Sequence, residues 1–258
     1  MKKIYSILAI SSIAPILSFI PRAYASETDA RIESSAKESY VFKTYLKDDD
    51  IKIKSKNGMV TLSGTVSDES HKALAKETVA SLPKVSNVDN KLEIKGTQPA
   101  KNSDAWITTK VKTNLMFHRD VSAARTEVTT NSGTVTLKGE AESEKQKKLS
   151  SEYANDVDGV KEVKNEMTVT NSEKRSASKS RVRATNGEKI DDASITGQIK
   201  VSLFSHRSTS ALNTNVETND GVVTLSGKAK SKAERELVSQ LSYDVYGVKD
   251  VKNGITVE

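Results

Sequence analysis

One pattern recurs three times along this 258-residue chain, and it restricts the fold more than any other feature. It reads Gly58-Met59-Val60-Thr61-Leu62-Ser63-Gly64, then Gly133-Thr134-Val135-Thr136-Leu137-Lys138-Gly139, then Gly221-Val222-Val223-Thr224-Leu225-Ser226-Gly227. An Asn follows the second Gly by 26 residues in every copy, as Asn90, Asn165 and Asn253. Identical internal spacing marks a repeated structural unit. The copies run over 29–96, 104–170 and 190–258, offset by 75 and then 88 residues. Units of this size have much surface for their volume. That agrees with a hydrophobic content of only 35%.

Each copy predicts the same order of elements. Ile107, Val111 and Leu115, and Ile195, Ile199 and Leu203, fall at helical spacing. Val41 and Tyr45 stand at the matching places in copy one, which then has about five residues fewer before its first strand. A short strand follows through Ile51 and Ile53, Val128, or Val216. Asn57-Gly58, Ser132-Gly133 and Asp220-Gly221 make the hairpin turn, where positive φ is needed. Val60/Leu62, Val135/Leu137 and Val223/Leu225 alternate along the second strand. The Gly that closes it marks a close backbone approach or a bulge.

Ser143-x-x-Gln146 and Ser231-x-x-Glu234 are capping-box patterns, with Asp68 as the cap in copy one. The second helices begin there. Gly159 and Gly247 suit a left-handed residue beyond the helix end. Copy one has Pro83-Lys84 instead, so its helix is expected to end differently. The last strand carries Val88/Leu92/Ile94, Val163/Met167/Val169 and Val251/Ile255/Val257. The fold class is α+β: three tandem α-β-β-α-β modules, each a three-stranded mixed sheet with two helices on one face.

The N-terminus reads as an address. Lys2-Lys3, an uncharged apolar run from Ile4 to Pro21, and Ala23-Tyr24-Ala25 are the marks of a secretory signal peptide over 1–25. The expected location is periplasmic.

The G-x-V-x-L-x-G strand, the capped helix, the V-x-x-V-x-N ending and the opening segment Asp104–Lys112 resemble the BON domain family. The resemblance covers nearly all of the chain beyond residue 25. Copy one departs from it at Pro83-Lys84 and in its loop. Membership implies the α-β-β-α-β fold, an envelope location, and a role in binding phospholipid surfaces or in maintaining the envelope under osmotic stress. The repeated glycines and valines are scaffold, and none is carried over as a binding residue.

No catalytic constellation is visible, and the chain is read as non-enzymatic. There is no Cys, which excludes a disulfide framework, a thiolate zinc site and a Cys nucleophile. Neither phosphate-loop pattern occurs. No cofactor and no metal are expected. His118-Arg119 and His206-Arg207 match across copies and read either as headgroup contacts or as solvated loop entries. His71 is expected at the surface, and Asp48-Asp49-Asp50 as a polar loop. The three Asn residues are expected to bond nearby backbone at the strand entry.

The first helix of copy two is the candidate lipid-binding element. Trp106, Lys110, Lys112, Met116, Phe117 and Arg119 combine apolar and basic side chains, as a membrane-surface helix does. Met116 or Phe117 would project from the core stripe, although Trp106 and Met116 also fit a core role. Copy three matches less well, with Lys200, Phe204 and Arg207 but Gly197 inside the helix. The partner expected is an anionic phospholipid surface. Unfolded or partner envelope proteins are the alternative, and export disfavours nucleic acid.

The net charge of +6 dissolves on inspection. The first 25 residues carry three basic groups and no acid, and the Ser-rich linker 171–189 carries six basic against two acidic. The modules hold twelve basic against eleven acidic, ten against eleven, and eight against nine. They are nearly neutral.

Overall fold

The structure, a computed structural model, describes residues 22–97, 99–118, 121, 126–170, 190–206, 208–209 and 214–258. The linker 171–189 and residues 1–21 of the expected signal peptide lie outside the described residues. Module one comprises α1 (Arg22–Glu38), α2 (Tyr40–Thr44), β1 (Asp50–Lys56), β2 (Met59–Val66), α3 (Glu69–Ala80) and β3 (Asn87–Ile94). Module two comprises α4 (Asp104–Phe117), β4 (Thr126–Asn131), β5 (Thr134–Ala141), α5 (Glu144–Asn155), β6 (Glu162–Asn165) and β7 (Thr168–Val169). Module three repeats it with α6 (Asp192–Ser205), β8 (Thr214–Asn219), β9 (Val222–Ala229), α7 (Lys232–Tyr243), β10 (Asp250–Asn253) and β11 (Thr256–Val257).

Each sheet has the predicted mixed pairing. β1 runs antiparallel to β2, and β3 lies parallel on the other side of β2. In modules two and three the last strand is split, so β6 and β7 both follow β5, and β10 and β11 both follow β9. The three closing glycines share a positive φ, and at Gly64, where φ is +115°, a Cβ would lie 2.0 Å from the Asp50 carbonyl oxygen.

The caps form as the residues predict. Asp68 accepts from the Ser70 and His71 amides at 2.8 and 3.1 Å. Ser143 and Ser231 accept from Gln146 N and Glu234 N, and those side chains reach back to Glu142 N and Lys230 N. The Asn residues do more than fix a strand entry. Asn90, Asn165 and Asn253 each accept from the amide two residues on, and each donates to a carbonyl of the preceding helix: Lys72, Lys147 and Arg235. One side chain thus ties strand to helix across the crossover.

Two expectations for module one are corrected. Its second helix ends at Ala80, the position equivalent to Asn155, because Lys84 adopts φ +69° where Gly159 has +85°. A lysine takes the left-handed turn that glycine takes elsewhere. Nor is the loop after the first helix shortened. Asp29 lies 29 residues before Gly58, as Asp104 does before Gly133 and Asp192 before Gly221. The counterparts of Ile107 and Val111 are therefore Ile32 and Ala36, both buried, rather than Val41 and Tyr45. The helix breaks at Ser39, whose hydroxyl donates to the Ala36 carbonyl at 2.7 Å and accepts from the Phe42 amide.

The modules do not keep separate cores. One apolar cluster runs continuously through modules two and three. The other fills module one but takes in Phe117 from module two and Ala193 and Val201 from module three. Helices α4 and α6 lie between modules, and a helix enclosed on several sides needs apolar or small residues on several faces.

Candidate functional site

Three aspartates of the first helices hold the hairpin turns: Asp104 and Asp192 open α4 and α6, whereas Asp29 lies within α1. Asp29 accepts from Asn57 N at 2.7 Å, Gly58 N at 3.0 Å and the Ser55 hydroxyl at 2.7 Å. Asp104 accepts from Ser132 N and Gly133 N, and Asp192 from Asp220 N and Gly221 N, all between 2.7 and 2.9 Å. The Gly58 amide, then the Ser55 hydroxyl, pull the Asp29 carboxyl below the usual carboxylate range; burial opposes them, and Asn57 N adds to them. The repeat offsets alone could have exposed these residues, since all three stand 29 positions before the turn glycine.

The paired histidines are interior, which corrects the reading of a solvated loop entry. His118 is 1% exposed and His206 is 3% exposed. The His118 ring stacks on Tyr153 at 3.7 Å between centroids, and its backbone bridges to Val245 of module three. Tyr153 donates its hydroxyl to Asp244 at 2.6 Å. In return, His206 Nε2 of module three lies 2.7 Å from Asp156 Oδ2 of module two. His118 with His206, and Asp156 with Asp244, are equivalent positions in the repeat. Equivalent positions of the two modules thus meet at this seam with different partners: His206 faces Asp156, whereas Asp244 takes the Tyr153 hydroxyl. His71 is not at the open surface either: its Nδ1 lies 2.6 Å from Asp49 Oδ2, and Asp49 also accepts from Ser67 N. The acidic run is thus partly a structural clasp.

Module one docks on module three although 93 residues, 97–189, separate them in sequence. Asp191 and Ser194, at the start of α6, accept from Tyr40 N and Val41 N, two amides that the start of α2 would leave unsatisfied. Helix α3 crosses α6 at Gly197, where a Cβ would stand 2.4 Å from Thr78 Oγ1 and 2.9 Å from Thr78 N. Lys200 pairs with Glu77 at 3.4 Å across the same contact.

The six residues proposed from sequence do not share an exposed face. Trp106 is half-buried against the core of modules two and three. Lys110 is buried, with its ammonium 5.7 Å from the Trp106 ring centroid. Lys112 is exposed. Met116 packs partly buried on the core of module one. Phe117 is 1% exposed and meets Tyr45 edge to face at 5.4 Å. Arg119 lies outside the described residues. Phe117 is inside because its partner surface comes from another module, which helical periodicity within one copy does not reveal.

What the docking does create is a cleft of about 900 Å³ bounded by α3 and β3, by α6, and by β8 and β9, with Lys110 reaching in from α4. Lys72, Lys76 and Lys200 line it together with Glu69 and Glu77. Val88, Val201, Leu203 and Val216 supply apolar wall, and Phe204 stands at it 65% exposed. Sequence reading noted Lys200 and Phe204 but not the cleft, since Lys72 and Lys76 belong to a different copy and to its second helix. Among the described residues no group of three or more His, Asp or Glu is placed to hold a metal, and no helix is long and apolar enough to cross a membrane.

A family model described as the BON domain matches residues 28–96, 103–171 and 191–258. Osmotically-inducible protein Y of Escherichia coli (strain K12) is 34% identical over 152 residues, which are 59% of this chain and 71% of that protein. An uncharacterized protein in the gshII 5' region of Anaplasma centrale is 32% identical over 148 residues, 57% of this chain and 90% of the relative. Among solved structures, the C-terminal domain of CdsD, a structural protein of the type III secretion system of Chlamydia trachomatis, aligns over 88% of this chain and 95% of that one. It does so at 15% identity with a TM-score of 0.24.

Proposed function

The chain belongs to the BON domain family, and from that premise we propose that it is a non-enzymatic cell-envelope protein that acts in osmotic stress and binds anionic phospholipid surfaces. The observation that carries this reading is the similarity to an osmotically inducible protein across two modules' length of chain. The basic, apolar and uncharged segments at the N-terminus support export. Lysines beside an exposed Phe support a lipid surface as the partner: each basic group near an anionic membrane contributes about 1 kcal/mol, so Lys72, Lys76 and Lys200 contribute roughly 3 at most, reduced by Glu69 and Glu77 beside them. Binding of that strength is weak until an apolar side chain inserts, a part Phe204 is exposed enough to take.

The test is co-sedimentation of the protein with phosphatidylglycerol vesicles at two salt concentrations. Binding at low salt that weakens at high salt is expected. No binding at low salt removes the lipid reading. A second reading, capture of unfolded client chains, draws support from the sheet edges: among the described residues, the outer strands of each sheet have a strand neighbour on one side only. It predicts suppressed aggregation of an unfolded outer-membrane protein in the absence of lipid.

A further inference from the structure

Lys110 is 9% exposed, and among the described residues no carboxylate or carbonyl oxygen bonds its ammonium. Burial holds its pKa below the usual lysine range, opposed by the more distant charges of Asp68 and Glu69. A buried amine without an anionic partner is costly, and an opposite charge brought within contact restores it. Four lysines, Lys110 among them, and two glutamates face the cleft, so its charge is positive. Beyond them the wall turns apolar, through Val88, Val201, Leu203, Val216 and the exposed Phe204. The volume of about 900 Å³ lies within the range of pockets that enclose a ligand of drug size.

We propose that the cleft between modules one and three binds a single anionic amphiphile. Its phosphate or carboxylate head pairs with Lys110, and its alkyl chain lies along Val88 and Phe204. The site differs in kind from a bilayer surface: it takes one molecule and is saturable. Because it is assembled from three modules, no isolated module contains it.

Trp106 is the only tryptophan in the chain and lies 5.7 Å from the Lys110 ammonium, so its fluorescence reports occupancy. The experiment titrates the whole protein with lysophosphatidylglycerol and with myristate, both below their micelle-forming concentrations. A neutral maltoside of equal chain length and inorganic phosphate are run in parallel. Saturable one-to-one binding of one or both anionic amphiphiles is expected, at least 10-fold tighter than either control; which of the two binds better distinguishes the phosphate from the carboxylate head. Lys110→Met keeps the volume, removes the charge, and should weaken anionic binding at least 10-fold without lowering the unfolding temperature. Phe204→Ser, at an exposed position, tests the tail wall independently and should weaken binding several-fold. Equal affinity in Lys110→Met, equal affinity for inorganic phosphate, or a signal only above the micelle-forming concentration overturns the proposal. Vesicle co-sedimentation of Lys110→Met separates the two ideas: the variant should still sediment with phosphatidylglycerol, since surface binding relies on the outer lysines.

Discussion

At the scale of single residues, the most informative side chains are the ones that recur and are satisfied by the fold. Asp104 holds two turn amides, and charge-assisted hydrogen bonds of this kind are worth about 2 kcal/mol when one partner is deleted. Asp104→Ala should cost about that much, read as a lower urea midpoint with unchanged slope. Asp29 adds a pH dependence. Its folded carboxyl titrates below its unfolded value, so its contribution is complete above about pH 4 and disappears as the pH falls through the depressed folded value. Thermal midpoints of the wild type and Asp29→Asn should therefore differ at neutral pH and converge in acid. A constant difference at every pH would show that charge plays no part. The Asn residues were legible as backbone partners from their place in an apolar strand; their second bond, to a helix 18 residues earlier in each copy, was not, because it depends on how the crossover helix lies on the sheet.

At the scale of elements, α4 and α6 change meaning once the modules meet. Gly197 looks like a defect within a helix, since Gly→Ala in a helix interior ordinarily stabilises by about 1 kcal/mol. Here the sign reverses, because the methyl would overlap Thr78, backbone included. Gly197→Ala should leave far-ultraviolet circular dichroism intact while separating modules one and three, seen as a larger radius of gyration in X-ray scattering. An unchanged radius would show that the crossing tolerates a methyl. Phe117 carries the complementary lesson. It belongs to α4 but fills the core of module one, so Phe117→Ala should destabilise by roughly 3–5 kcal/mol. Amide exchange should show the loss in module one as well as in module two. A purely membrane-facing role predicts little change in stability.

At the scale of the whole molecule, the repeats are joined into one body by surfaces that a tandem reading treats as independent. Modules two and three share a core and are joined by the His206–Asp156 and Tyr153–Asp244 contacts, and the start of α6 supplies the acceptors for the start of α2. The three modules should consequently unfold in one calorimetric transition. A chain ending at residue 170 should lose stability in module one, which keeps its own helices but loses Ala193 and Val201. Two separated transitions in the full chain, one unmoved by that truncation, would contradict a shared core. Near-neutral modules suit such docking, since like charges of any size on the facing surfaces would oppose it.

The local architecture was written in the sequence because turns, caps and strand alternation are set by residues close along the chain. Asn57-Gly58, Asp68 and Val60/Leu62 each act within a few positions, and the threefold spacing made each of them visible three times. Even there, Lys84 shows that a lysine accepts a left-handed turn when the surrounding fold holds it. The cleft and the burial of Phe117, Lys110, His118 and His206 were decided only by the tertiary structure. Surfaces from other copies close over them: Tyr45 meets Phe117, Val245 pairs with the His118 backbone, and Asp156 faces His206. Amphipathic patterning tells which side of a helix avoids water, but not whether a second module will cover the other side as well.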